Sequence, residues 1–185
     1  LGAGAALVQY RHKEAGPELR KEQATALLAL CRRHGRPLVI NDHVDLCQAI
    51  DADGVHLGHT DAGIREARAL LGKDKIVGAS CYGELALARV AVEAGASYIA
   101  FGGFYPSPVK KYTFVTPPEM LDQARAEFAV PGLAVPIVVI GGMTPSNAAP
   151  LVARGTDLVA AITSVYGARD PAESARAFGA LFPPA

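Results

Sequence analysis

The sequence predicts an α/β fold with a parallel sheet, and within that class a (β/α)8 TIM barrel. Three observations predict it. Short runs rich in Val and Ile recur along the whole chain and read as strands buried on both faces, and amphipathic stretches separate them. Polar residues also follow the C-terminal ends of many different strands: Arg11 and Lys13, Asn41 and Asp42, Asp61, Ser80, Lys110, Gly142 and Thr163. So many strand ends suit one ring-shaped site better than the linear crevice of a doubly wound sheet.

In chain order the strands are expected over residues 6–10, 37–40, 54–57, 75–78, 97–101, 136–140 and 157–162. Helices are expected in stretches such as 18–34, 63–71, 84–93, 118–128 and 172–181, where Ala and Leu fall at helical spacing with charges between them. Gly95 and Gly155 stand where the chain leaves a helix with positive φ before the next strand. About seven strands are visible, one short of a closed barrel. Residues 1–6 read as the tail of a helix, so the expectation is a single domain over 1–185 that lacks the first barrel strand and helix. An open sheet edge should then lie beside the strand ending near Gln9.

Composition narrows the function. The chain has 185 residues, 50% hydrophobic, with Lys+Arg 18 against Asp+Glu 18, which fits a domain with a sizeable core and excludes a disordered chain. Zero formal net charge provides no global field for nucleic acid or an anionic membrane, so neither is an expected partner. Cys31, Cys47 and Cys81 are odd in number and lack Cys-x-x-Cys spacing, which argues against a disulfide framework or zinc cluster and for a cytoplasmic protein. The longest apolar stretch, 128–143, is broken by Pro131, Gly132 and Pro136, so no membrane-spanning helix is expected. The first residues lack an initiator Met and a basic n-region and read as a chain cut or processed upstream.

Several segments carry chemistry. Arg11 and Lys13 alternate at a strand end, so they point to the same side and suit a diphosphate; a solvated basic loop paired with Glu14 or Glu18 remains open. Asp42 and Asp61 follow neighbouring strands, and two carboxylates without cysteine favour a hard cation such as Mg²⁺, although either also suits a helix N-cap. His56 lies mid-strand and reads as a satisfied core histidine, and neither it nor His59 is assigned to metal. The Gly/Pro-rich loop after residue 101 carries Ser107, Lys110 and Lys111 and has the character of a loop that closes over substrate. Gly141 and Gly142 remove side chains where barrels often bind phosphate through backbone N–H groups.

Taken together, the segments Gln9-Tyr-Arg-His-Lys, Asn41-Asp42, Asp53-Gly-Val-His-Leu-Gly-His-Thr-Asp61, Gly78-Ala-Ser80, Tyr105-Pro-Ser-Pro-Val-Lys110, Ile140-Gly-Gly142 and Ile162-Thr163 resemble the thiamine-phosphate synthase family. The resemblance covers essentially the whole chain from Gln9 onward. It implies a (β/α)8 barrel that condenses hydroxymethylpyrimidine diphosphate with thiazole phosphate, releasing pyrophosphate with Mg²⁺ as cofactor. Gln9, Arg11, Lys13, Asn41, Ser80 and Lys110 would hold the pyrimidine diphosphate, with Asp42 and Asp61 carrying Mg²⁺. Ser107, Gly142, Ile162 and Thr163 would meet the thiazole phosphate. Tyr10, His12, Pro108 and Val109 lie inside the matching segments and count with the substrate-binding set. Arg11, Lys13 and Lys110 would carry catalysis by stabilising the leaving group.

The sequence departs from the family pattern at His59, usually Gln, at Val109, usually Thr, and at Thr163, commonly Ser. A related thiazole tautomerase acting through histidine and a non-catalytic barrel that binds thiamine phosphates are the alternatives, and a homo-oligomer is left open.

Overall fold

The computed structural model describes residues 1–58, 63–107, 109, 113–130 and 133–182. Its strands and helices alternate: β1 (Val8–Tyr10), α1 (Pro17–Arg33), β2 (Leu38–Asn41), α2 (Val44–Ile50), β3 (Gly54–Leu57), α3 (Ile64–Leu71), β4 (Ile76–Tyr82), α4 (Leu85–Glu93) and β5 (Tyr98–Gly102). There follow α5 (Met120–Phe128), a small antiparallel pair β6 (Ala129–Val130) and β7 (Leu133–Ala134), β8 (Ile137–Ile140), α6 (Pro145–Ala153), β9 (Leu158–Ala160), α7 (Thr163–Tyr166) and α8 (Pro171–Gly179).

Seven strands form one parallel sheet in the order β1-β2-β3-β4-β5-β8-β9. Consecutive parallel strands joined through helices give this order, and both edge strands contribute to the same cavity, so the sheet curls. Among the described residues β1 and β9 do not pair with each other, and the curl stays open.

Alternation divides each strand between two layers. On β5, Ile99 and Phe101 face outward onto a core with Leu121, Phe128 and Leu151 from α5 and α6, while Tyr98 and Ala100 face the concave side with Val138. A second outer core packs Leu38, Ile40 and Val55 against Ala24, Leu28 and Cys31 of α1. Those three helical residues recur at the spacing of one face. Helix α1 starts with Pro17 in its first turn beside Glu18 and ends with Arg32 and Arg33, so ring geometry and the macrodipole favour the same register.

The elements missed by periodicity are the short ones. Helix α2 has 7 residues and α7 has 4, too few for a repeating apolar face. Helix α6 is set by its cap: Thr144 Oγ1 accepts from the Asn147 N–H at 3.2 Å, and Asn147 Oδ1 accepts from the Thr144 N–H at 2.8 Å. Residues 1–6 correct the expected helix tail. They form a turn closed by the Gly4 N–H on the Leu1 carbonyl at 3.2 Å, as two glycines in four residues favour. Gly95 and Gly155 do leave their helices at positive φ, 97° and 89°.

At the end of the sheet where the strands begin, one device recurs. The Asp53 side chain accepts from the Leu38 N–H at 2.7 Å, Ser97 Oγ from the Val77 N–H at 3.0 Å, and Asp157 Oδ2 from the Ile137 N–H at 2.8 Å. Each of the three returns its own N–H to the carbonyl of the residue it caps. N–H groups at or next to the starts of these parallel strands thus find partners. Asp157 also pairs with Arg125 at 3.1 Å, so Asp157→Ala should cost about 1–2 kcal/mol of stability, read by urea unfolding. An unchanged midpoint would mean that water replaces the carboxylate without loss.

Candidate active site

The C-terminal ends of six of the parallel strands, with the loop that follows the seventh, β5, open on one cavity of about 420 Å³. Strand β1 and the residues after it present Gln9, Arg11 and Lys13 to it, because alternate residues share a side. The intervening residues correct the expected binding set. Tyr10 and His12 point to α1, where the Tyr10 hydroxyl donates to Gln23 Oε1 at 2.9 Å and His12 Nδ1 lies 3.0 Å from the same oxygen. Neither lines the cavity.

Beside β1, Asn41 ends β2 and Asp42 follows it, and both line the cavity. Asp42 has φ 68°, a left-handed conformation that Asp and Asn tolerate, and this turns its carboxylate toward Lys13, with Nζ at 3.1 Å from Oδ2. The pairing partner of Lys13 is therefore Asp42 rather than Glu14 or Glu18. Arg11 forms no ion pair among the described residues. Asp61, Pro108, Lys110, Lys111 and His59 lie outside the described residues.

Beneath the cavity runs a buried polar chain. His56 Nδ1 sits 2.8 Å from the Tyr98 hydroxyl and Nε2 sits 2.9 Å from Ser80 Oγ. The two rings stack with centroids 5.6 Å apart. Burial pushes the Tyr98 phenol well above its ordinary pKa, with Gln9 acting the other way. Room for the Tyr98 ring comes from Gly78: a Cβ there would lie 2.0 Å from Tyr98 Cζ. His56 is the satisfied histidine expected from sequence, yet it also lines the cavity.

The opposite wall is made of loop backbone. Ser107 and Val109 follow β5, Gly141 and Gly142 follow β8, and Ile162 and Thr163 follow β9. Ser107 Oγ accepts from the Val109 N–H at 3.3 Å. Thr163 opens α7, where the Val165 and Tyr166 N–H groups donate to the Ile162 carbonyl at 3.1 and 2.8 Å. Ser164 ties two of these loops together by donating from Oγ to the Met143 carbonyl at 2.6 Å. Sequence reasoning passed over Ser164, and it passed over Tyr82, which lines the cavity at φ 51° where the β4 register shifts. A signal for Tyr82 existed, since it stands two residues beyond Ser80 and alternation returns it to the same side.

The arrangement holds cationic and carboxylate side chains at one end and N–H-bearing backbone at the other. It offers no thiol nucleophile: burial pushes Cys47 up to about 11 and Cys81 up to about 12, so both remain protonated. Among the described residues no group of three or more His, Cys, Asp or Glu is arranged to hold a metal ion, and no helix is long and apolar enough to cross a membrane.

The family model described as thiamine monophosphate synthase matches residues 1–165. A thiamine-phosphate synthase from Janthinobacterium sp. (strain Marseille) is 57% identical over 98% of this chain and 86% of its own length. One from Xylella fastidiosa (strain Temecula1) is 47% identical over 97% of this chain and 74% of its own. Among solved structures, a thiamine phosphate pyrophosphorylase from Pyrococcus furiosus superposes with a TM-score of 0.83 at 31% identity, covering 97% of this chain and 83% of that one. A 3-hexulose-6-phosphate synthase, with a TM-score of 0.68 at 18% identity over 96% of this chain and 87% of its own, shares the fold alone.

Proposed function

This chain belongs to the thiamine monophosphate synthase family, an enzyme family of thiamine biosynthesis, and from that premise we infer that it joins hydroxymethylpyrimidine diphosphate to thiazole phosphate. The observation that carries the reading is the polarity of its cavity. Arg11 and Lys13 stand over Asn41 and Asp42 at one end, and the turns at Ser107, Gly142 and Thr163 face them from the other.

In the proposed reaction the bond between the pyrimidine methylene carbon and the diphosphate oxygen breaks, and the electron pair departs with pyrophosphate. The thiazole nitrogen then supplies the pair that forms the new C–N bond. Arg11 and Lys13, with Lys110 as the third cation expected from the resemblance, hold the negative charge that collects on the departing group. Gln9, Asn41 and Ser80 orient the pyrimidine beside it. Backbone N–H groups at Gly142, Ile162 and Thr163 bind the thiazole phosphate, and the absence of side chains at Gly141 and Gly142 lets that anion approach. No protein nucleophile takes part.

Mg²⁺ fits the donor set. A carboxylate at the mouth, together with water and substrate phosphate, is the usual surrounding of a hard cation, which needs only one or two protein carboxylates. Asp42 would hold it, with Asp61 as the expected second ligand, and the bound ion supplies positive charge to the leaving pyrophosphate. Asp42→Asn keeps a residue that tolerates φ 68° and removes only the charge, so it should raise the Mg²⁺ needed for half-maximal activity about tenfold. An unchanged Mg²⁺ titration would sink the role.

We further read the curled sheet as seven strands of a (β/α)8 barrel, since the edges of β1 and β9 border one cavity without pairing. Histidine acid–base chemistry of the tautomerase kind fits less well: both ring nitrogens of His56 already have partners. The deciding experiment supplies both substrates and Mg²⁺ and follows pyrophosphate and thiamine monophosphate. Their joint appearance is expected, and substrate binding without either product would overturn the reading in favour of a binding protein.

A further inference from the structure

The loop between β5 and α5 supplies Pro106, Ser107 and Val109 to the cavity, so the position of its backbone controls what the far end can bind. Its two feet meet. Thr116, 2% exposed, donates from Oγ1 to the Gly102 carbonyl at 2.6 Å and from its N–H to the Gly103 carbonyl at 2.9 Å. Residues 104–115 therefore belong to an excursion that leaves the end of β5 and returns to the same two peptide groups.

The seat of this clasp is made by missing side chains. A Cβ on Gly83, the residue after β4, would lie 2.4 Å from Thr116 Oγ1 and 3.1 Å from Phe114 Cε2, and one on Gly103 would lie 3.0 and 2.5 Å from the same two atoms. Thr116 and Phe114 thus fill a notch that two glycines leave open between the ends of β4 and β5. On the other flank the Pro106 carbonyl fills the space at Gly142, after β8, where a Cβ would lie 2.1 Å from its oxygen. Because β5 runs between β4 and β8 in the sheet, the loop sits astride both neighbours, with Thr116 seated against one and Pro106 against the other. Val would fill the notch as Thr does. What the hydroxyl adds is a bond to the last residue of β5.

We propose that Thr116 is a positioning residue, whose paired bonds to Gly102 and Gly103 join the feet of the loop and so hold Ser107 and Val109 in place for the thiazole phosphate. The inference rests on the synthase reading for the identity of that ligand. It assigns Thr116 no contact with substrate, and Thr116 does not line the cavity. Its consequence falls on binding. A loop fixed before the ligand arrives loses little freedom when it binds, whereas an unclasped loop must be ordered by the ligand, and that cost appears in KM.

The test compares Thr116→Val, which keeps the shape and removes the hydroxyl, with Thr116→Ser, which keeps the hydroxyl. Hydrogen exchange followed by mass spectrometry without substrate should show peptides from 103–116 exchanging about tenfold faster in Thr116→Val, with those from β2 and β3 unchanged. KM for thiazole phosphate should rise about tenfold in that variant while KM for the pyrimidine diphosphate changes less than about threefold. Thr116→Ser should restore the wild-type exchange and bring both KM values to within about threefold of wild type. A merely structural role would lower the folded fraction, which scales the rate at every substrate concentration and leaves both KM values unmoved. Should Thr116→Val fail to fold, Gly83→Ala reaches the clasp from the other side: its Cβ displaces Thr116 and Phe114 with the hydroxyl still present, and it should give the same exchange and the same rise in KM. Unchanged exchange in the 103–116 peptides, equal changes in the two KM values, or a Thr116→Ser as impaired as Thr116→Val would overturn the proposal. Exchange needs no substrate. A wild-type protein that makes no thiamine monophosphate would therefore count against the synthase reading, whereas the exchange pattern judges the clasp separately.

Discussion

Arg11→Ala should lower kcat about a hundredfold, equivalent to about 3 kcal/mol of transition-state stabilisation, with a much smaller rise in KM for the pyrimidine diphosphate. The asymmetry follows from where charge appears. In the ground state the charge of the diphosphate is already spread over its phosphate oxygens, but as the carbon–oxygen bond breaks an additional negative charge collects on the leaving oxygen. Arg11 faces the cavity and forms no ion pair among the described residues, so its guanidinium is available for that charge. Lys13 differs, because it sits 3.1 Å from Asp42 and shares its charge with that carboxylate. Arg11→Lys should recover part of the loss, since it restores the charge without the planar fork that engages two phosphate oxygens. Steady-state kinetics with pyrophosphate release as the readout decides the matter. An unchanged kcat with a raised KM would make Arg11 a ground-state anchor and move the leaving-group role to the other cations.

Much of this site was legible in the sequence because alternation in a strand is strict. Arg11 and Lys13 were paired on one side by counting, and both line the cavity although β1 itself ends at Tyr10. The same rule, applied one residue further, excludes Tyr10 and His12, which turn toward Gln23 of α1. A contiguous motif read as a block hides that parity. Each apolar run pairs with the next in the parallel sheet, although α2 and α6, which join two of these pairs, were not among the helices expected.

What stayed out of reach depends on atoms far apart in sequence. That a single histidine joins Tyr98 to Ser80 requires strands β3, β4 and β5 to be in register, and nothing within Gly54–Leu57 specifies it. The role of Gly78 is likewise invisible until the Tyr98 ring is seen in the space it leaves. The capping of strand starts by Asp53, Ser97 and Asp157 repeats a polar residue before an apolar run, a pattern that reads from sequence only as a turn.

Gly142→Ala should damage stability and function together, because it joins the two loops that close the far end of the cavity. Gly142 has φ 65°, and a Cβ there would lie 2.1 Å from the Pro106 carbonyl oxygen and 3.0 Å from its carbon. Both are backbone atoms, so no rotamer change relieves the contact. The loop after β5 must move, and with it Ser107; the strain also reaches α6, because Asn147 Nδ2 donates to the Gly142 carbonyl at 2.9 Å. Left-handed backbone and overpacking each cost about 1–2 kcal/mol, and partial yielding of the loops leaves an expected loss of about 2 kcal/mol in urea unfolding. KM for thiazole phosphate should rise about tenfold, with KM for the pyrimidine diphosphate little changed, since the two bind opposite ends of the cavity. Gly35→Ala separates the contributions: Gly35 has φ 59° and nothing within 4 Å of its would-be Cβ, so it carries the backbone cost alone, away from the site. That variant should lose about 1 kcal/mol and keep wild-type kinetics. If Gly142→Ala behaves no differently from Gly35→Ala, the contact between the two loops has no part in holding the thiazole phosphate.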